Sequence, residues 1–136
     1  MVSGIGTDIT EIARIRKLYV EYGSIFLDRV FTKEEQDYCL PMADPVPSLA
    51  ARWAAKEAFY KALPASCKEH GTWRGVSVIK SEGGIPSFKV VDPKLTQALH
   101  EEAISAIHLS ISHEKSHALA FVIMEKQLWC DNSSSD

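Results

Sequence analysis

Cysteine is scarce in this chain. Cys39, Cys67 and Cys130 are odd in number and far apart, which excludes a disulfide framework and a zinc site and points to a reducing cytoplasm. Long apolar runs are absent, so nothing here reads as a membrane span, and Met1-Val2-Ser3-Gly4 lacks the basic and apolar regions of a secretion signal. Positive charge is not in excess either. Fifteen Lys and Arg stand against 18 Asp and Glu, a net charge of -3, and a nucleic-acid binder needs a basic surface to neutralise phosphates. Neither an internal repeat nor a linker breaks the 136 residues, which suffice for one domain with a real core but not two. A large substrate therefore calls for a second subunit.

What is present begins with a strand. Val2 to Ile9 is β-branched and interrupted by Gly4 and Gly6, the pattern of a strand that something approaches closely. Asp8 stands at its end, where it either reaches a ligand or caps the next helix; Thr10 is the other candidate cap. Ile12, Ile15, Leu18, Tyr19 and Tyr22 recur at helical spacing up to Gly23, and Arg14, Arg16 and Lys17 form a basic patch on that helix. An apolar segment from Ile25 to Phe31 follows, then Thr32-Lys33-Glu34-Glu35 in the form of a capping box. Ser48 is expected to cap a long helix that Pro64 closes. Ala65 to Trp73 reads as irregular. Two hairpins are predicted, Val76–Ile79 with Ser87–Val91 and Ile107–Ser112 with Ala118–Met124, separated by a helix from Asp92-Pro93 with Leu95, Leu99, Ala103 and Ile104 as its stripe. The fold class expected is α/β (α+β): an antiparallel sheet against a long central helix, with a domain over 1–126 and a polar, disordered tail over 127–136.

Within the long helix, Trp53-Ala54-Ala55-Lys56-Glu57-Ala58-Phe59-Tyr60-Lys61-Ala62 sets Glu57 and Lys61 four residues apart, on one face, among small residues that let something come near the backbone. Alone, the pair reads equally as an ordinary surface Glu–Lys contact. With Asp8 it describes a carboxylate-held Mg²⁺ beside a cationic phosphate contact, since magnesium takes one or two carboxylates and leaves its other positions to water and phosphates. In His108-Leu109-Ser110-Ile111-Ser112, alternation puts His108, Ser110 and Ser112 on one face, either as a structural network or as ligand contacts.

Four ordered segments, Gly4-Ile5-Gly6-Thr7-Asp8-Ile9, Phe31-Thr32-Lys33-Glu34-Glu35, Ala51-Arg52-Trp53-Ala54-Ala55-Lys56-Glu57-Ala58 with Lys61, and His108-Leu109-Ser110-Ile111-Ser112-His113, together resemble the holo-[acyl-carrier-protein] synthase family of small phosphopantetheinyl transferases. The resemblance implies transfer of the phosphopantetheine arm of coenzyme A to a serine of an acyl carrier protein in fatty acid biosynthesis, releasing adenosine 3',5'-bisphosphate. It implies Asp8 and Glu57 as ligands of Mg²⁺ or Mn²⁺, and Lys61 near the phosphates. Arg52, Pro86 and His108 are then coenzyme contacts. Arg14, with Lys17, docks the carrier, and Glu57 or a metal-bound water that it orients is the base. A homotrimer with coenzyme A in a cleft between subunits is implied as well. The chain departs from the family after Lys61, where Leu63-Pro64-Ala65-Ser66-Cys67 replaces a short glycine turn and glycine comes only at Gly71. That loop is the support for an alternative, a non-catalytic module that binds coenzyme A or an acidic protein; a different carrier domain is a further alternative.

Overall fold

The computed structural model describes residues 1–128; of the tail expected over 127–136, residues 129–136 lie outside the described residues. Strand β1 (Val2–Glu11) leads into helices α1 (Ile12–Tyr22), α2 (Ser24–Val30), α3 (Lys33–Cys39) and the long α4 (Val46–Ala62). The hairpin β2 (Val76–Lys80) and β3 (Pro86–Val90) follows, then α5 (Pro93–Glu101), β4 (Ile104–His113) and β5 (His117–Lys126). Three antiparallel strands form a sheet in the order β1-β5-β4, and β2-β3 form a separate ribbon. The mixed architecture expected, an antiparallel sheet against a long helix, is the one observed.

Helix α4 is the spine. One core joins Ala54, Ala55, Ala58 and Phe59 of α4 to Val122 and Met124 of β5 and to Leu95 and Leu99 of α5. A second joins Leu49 and Ala50 to Ile12, Ile15, Phe26, Leu27 and Phe31 of the α1–α2 corner. The two glycines of β1 explain the close approach. A Cβ on Gly6 would sit 1.9 Å from the carbonyl oxygen of Ala58, and one on Gly4 would sit 2.0 Å from that of Ala62. No side chain fits between backbones at that distance. What approaches the glycine strand is therefore the protein's own helix, and the alanines of α4 serve the same contact.

Several local expectations hold and several are corrected. The Thr32 hydroxyl accepts from the amide of Glu35 while the Glu35 carboxylate accepts from the amide of Thr32, a complete capping box. Gly23, at φ 54°, stops α1. Thr10 caps nothing; it is the penultimate residue of β1, and the first amide of α1, on Ile12, donates to the carbonyl of Ser116 at 2.9 Å. Ser48 lies inside α4, whose N-cap is Pro45 and whose first amide, on Val46, donates to the Asp44 carboxylate at 3.2 Å. The segment Ile25–Phe31 is mostly helix α2, and α5 ends before Ala103 and Ile104. After α4 the chain forms a 3-10 turn over Ala65–His70, tethered by Lys68 donating to the carbonyl of Tyr60 at 2.8 Å and by Ser66 donating to Glu102 at 2.6 Å.

Candidate functional site

The inward-facing alternation of β1 brings Asp8 against α4, where Glu57 and Lys61 sit one turn apart. The Thr10 hydroxyl donates to Asp8 Oδ2 at 2.6 Å and fixes the carboxylate. Lys61 Nζ lies 3.4 Å from the other oxygen, Oδ1, and donates to the carbonyl of Thr7 at 3.0 Å. Burial raises the pKa of Glu57 above the usual carboxylate range, and the charge of Asp8 raises it further, while Lys61 and Arg14 pull it down. The two carboxylates repel one another, and Lys61 and Arg14 offset that repulsion only in part, since Glu57 stays raised. All the donors there are oxygens. This set fits a hard divalent cation, Mg²⁺ or Mn²⁺. Among the described residues no group of three or more His, Cys, Asp or Glu is gathered, so the remaining coordination positions would fall to water and substrate oxygens.

Arg14 stands beside this cluster. Its guanidinium lies over the Trp53 ring, 5.4 Å from the centroid, and its charge reaches Glu57. Trp53 in turn stacks on Trp73, with centroids 4.5 Å apart, and on Phe26 at 6.0 Å. Lys17 is exposed on the same helix. Arg16 is committed elsewhere, forming a two-pronged ion pair with Asp44 at 3.2 and 2.8 Å, so the basic patch narrows to Arg14 and Lys17.

Arg52 and Pro86 line a different cavity, about 420 Å³ in volume, together with Tyr38, Ser48, Lys80 and His113. Arg52 is only 4% exposed. It donates to the Ser48 hydroxyl at 2.7 Å and lies 4.5 Å from the centroid of Tyr38, while its Nε has no protein partner. Arg52 and Glu57 are five residues apart, which is about 140° around a helix. Within one chain they therefore face different ways. His108 is likewise apart: it lies on the outer face of the sheet, with Nε2 2.6 Å from Glu125 Oε1. The polar row His108, Ser110 and Ser112 is exposed rather than interior.

Lys56, beside Glu57 in sequence, was not singled out by spacing or composition. It points inward. Its ammonium is 2.8 Å from Glu35 Oε1, with the two side chains 1% and 0% exposed, and donates to the carbonyls of Trp73 at 2.5 Å and Val76 at 2.8 Å. Glu35 Oε2 accepts from the amide of Val78 at 2.7 Å. Burial lowers the Lys56 pKa despite the attraction of Glu35. This pair ties α3, α4 and β2 together directly behind the site. A helical residue at an apolar-facing position three turns into α4, and a glutamate already used in a capping box, were the available signals.

The chain matches the 4'-phosphopantetheinyl transferase superfamily over residues 4–122. It is similar to the holo-[acyl-carrier-protein] synthase of Thermus thermophilus, with 43% identity over 92% of this chain and 94% of that one. Among solved structures it is similar to the holo-[acyl-carrier-protein] synthase of Neisseria meningitidis, with TM-score 0.81, 37% identity and coverage of 93% of this chain and 100% of that one. It also resembles that of Bacillus anthracis in complex with coenzyme A (3',5'-ADP), with TM-score 0.75, 29% identity and coverage of 93% and 99%. With nearly the whole length matched and the four motifs placed on one fold, the chain belongs to the 4'-phosphopantetheinyl transferase superfamily, in its holo-[acyl-carrier-protein] synthase family.

Proposed function

We propose that this protein transfers the 4'-phosphopantetheine arm of coenzyme A to a serine hydroxyl of an apo acyl carrier protein in the cytoplasm, releasing adenosine 3',5'-bisphosphate, with residues 1–126 as the transferase domain. The observation that carries this reading is the convergence of Asp8, Glu57 and Lys61 from two elements locked together by backbone contact. Asp8 and Glu57 would hold Mg²⁺ or Mn²⁺, which when bound supplies neutralisation of charge on the pyrophosphate. Lys61 offers its ammonium to phosphate oxygens from a position steadied by the Thr7 carbonyl. The serine must lose its proton as it attacks phosphorus. Glu57, or a water that it orients, is the acceptor, because it is the carboxylate on the face of α4 that also carries Lys61.

The direct test is the intact mass of an apo acyl carrier protein incubated with this protein, coenzyme A and magnesium, beside a chelator control. A gain of one phosphopantetheine group is expected, and no gain with coenzyme A still bound would favour a binding module. Arg14, with Lys17, is the docking site for an acidic carrier surface. Arg14→Glu is expected to raise the apparent KM for the carrier roughly tenfold or more through charge reversal, with the Kd for coenzyme A, read by calorimetry, changing less than threefold. Equal loss of both affinities would remove the docking role.

The assembly that this reading requires is a homotrimer with the sites between subunits. Its support is the outer face of the β1-β5-β4 sheet, which exposes Ile5, Ile9, Leu119 and Phe121 at 57%, 66%, 42% and 43%. An apolar patch of that kind, on the β1–β5 part of the face, is unusual unless something covers it. A neighbour would also bring its Arg52, Pro86 and His108 toward the Asp8–Glu57 pair, which one chain alone does not do. Phe121→Asp is expected to shift the mass measured by light scattering from trimer to monomer and to depress transfer at least tenfold. A wild-type monomer with full activity would overturn the assembly.

A further inference from the structure

We propose that the surface on which the acidic carrier docks does not end at Arg14 and Lys17 but continues across the 3-10 turn Trp73–Gly75 to Arg74, Lys33 and Lys89. This rests on the transferase reading above. Two side chains are too few for the interface that reading needs. A specific protein–protein contact covers roughly 800 Å² on each partner, so more of the molecule must meet the carrier than the outward face of α1.

From Arg14 a line of contacts leads to the turn. The guanidinium lies over Trp53, and Trp53 packs on Trp73 with centroids 4.5 Å apart. The next residue is Arg74, which is exposed and takes part in no ion pair among the described residues. Its turn is held on both sides. The carbonyl of Trp73 accepts from the buried Lys56 ammonium, and the carbonyl of Gly75 accepts from the amides of Val91 and Asp92 at 2.8 and 3.1 Å.

Arg74 shares a depression of about 410 Å³ with Lys33 and Glu34 of α3, Lys89 of β3, and Thr32 and Ser77. Its floor is already paired, since the buried Thr32 and Ser77 hydroxyls bond to each other at 2.7 Å. What the depression offers is the charge on its rim. There three cations face one carboxylate, on a chain whose net charge is -3. Lys89 lies 3.7 Å from Glu34 and Lys33 lies 2.9 Å from Asp37, but all four side chains are more than half exposed. Exposed pairs of that kind contribute at most about 1 kcal/mol, so a partner's carboxylate can replace either one. Arg74 needs no such exchange. An acidic protein surface is the occupant that the sign of these charges fits.

The first test needs no variant. A carbodiimide joins a lysine ammonium to a carboxylate in contact with it, so the full chain mixed with apo acyl carrier protein, without coenzyme A, should yield carrier peptides linked to Lys33 and Lys89 as well as to Lys17 when mapped by mass. Arg74→Glu should raise the apparent KM for the carrier roughly three- to tenfold and leave the Kd for coenzyme A, read by calorimetry, within twofold. Combined with Arg14→Glu, the two increases should multiply, as they do for separate contacts. Links confined to Lys17, a carrier KM within twofold of wild type in Arg74→Glu, or an equal rise in the Kd for coenzyme A overturns the extension and leaves the transfer reading standing on its own mass assay. A wild type that adds no mass to the carrier removes the partner, and this surface with it.

Discussion

Replacing Lys56 with alanine is expected to lower the unfolding free energy by about 3–5 kcal/mol, the loss seen when one partner of a buried ion pair is removed, and to drop the Tm by roughly 10–20 °C. The expectation follows from what is left behind. Without the ammonium, the Glu35 carboxylate stays 0% exposed with only the amides of Thr32 and Val78 to satisfy it, and the carbonyls of Trp73 and Val76 lose their donor. A buried carboxylate would be left without its counter-charge and two carbonyls without that donor. Thermal and urea unfolding would show it, with Lys33→Ala as the comparison, since the Lys33–Asp37 pair is solvent-exposed at 84% and 64% and contributes at most about 1 kcal/mol. The double variant Glu35→Gln with Lys56→Met should recover part of the loss. If Lys56→Ala unfolds within about 1 kcal/mol of wild type, the buried pair is not what joins α3, α4 and β2.

Local signals in this sequence read through to structure where the physics is local. Thr32 and Glu35 satisfy each other within one turn, so the capping box needs no tertiary partner to be recognised. Alternation in β4 and β5 likewise located the hairpin, and Gly23 located the end of α1. Reading failed where a long-range partner outbid the local one. Thr10 has the chemistry of a cap, but β1 runs on through it to pair Thr10 with Ala118 of β5, and its hydroxyl turns to Asp8. Ser48 does not cap α4, because the helix starts at Val46, whose amide donates to Asp44, and its hydroxyl is used by Arg52. Gly4 and Gly6 announced a close approach without saying to what; only the register of β1 on α4 shows that it is Ala58 and Ala62.

The site shows the same division. Asp8, Glu57 and Lys61 were legible because helical spacing and a strand end are enough to place three charges together. Arg52, Pro86 and His108 were legible only as a resemblance, and within one chain the fold turns them away from the acids. Lys56 and Glu57 are adjacent in sequence and about 100° apart on α4; one was conspicuous and the other silent, although the silent one holds the frame. Its inward direction depends on β2 and on the Trp73 carbonyl, contacts that no window around residue 56 contains.

Glu57→Gln is expected to reduce transfer by at least about 100-fold while leaving the fold as stable as wild type or slightly more so. The two halves come from one electrostatic fact. The Glu57 carboxyl has its pKa raised by burial first and by Asp8 second. A carboxyl whose folded-state pKa is raised favours the fold only while protonated; that contribution is complete below its unfolded pKa and is lost as pH rises through the folded one. At neutral pH, therefore, the ionised Glu57 is a burden on the fold, and a neutral amide of the same shape removes it. The same change removes a proton acceptor from the attacking serine and one oxygen anion from the pair with Asp8, and general-base catalysis alone is worth about 10²–10⁴ in rate. Intact-mass kinetics with magnesium present check the first half, and thermal unfolding of chelator-treated protein checks the second. Lost activity together with a Tm well below wild type would mean that Glu57 braces the structure. Retained activity would move the base elsewhere. Loss of turnover at undiminished stability is the outcome that assigns Glu57 to the chemistry, and it would set Glu57 apart from the neighbouring Lys56, whose variant should fail in the opposite way, by losing the buried pair with Glu35.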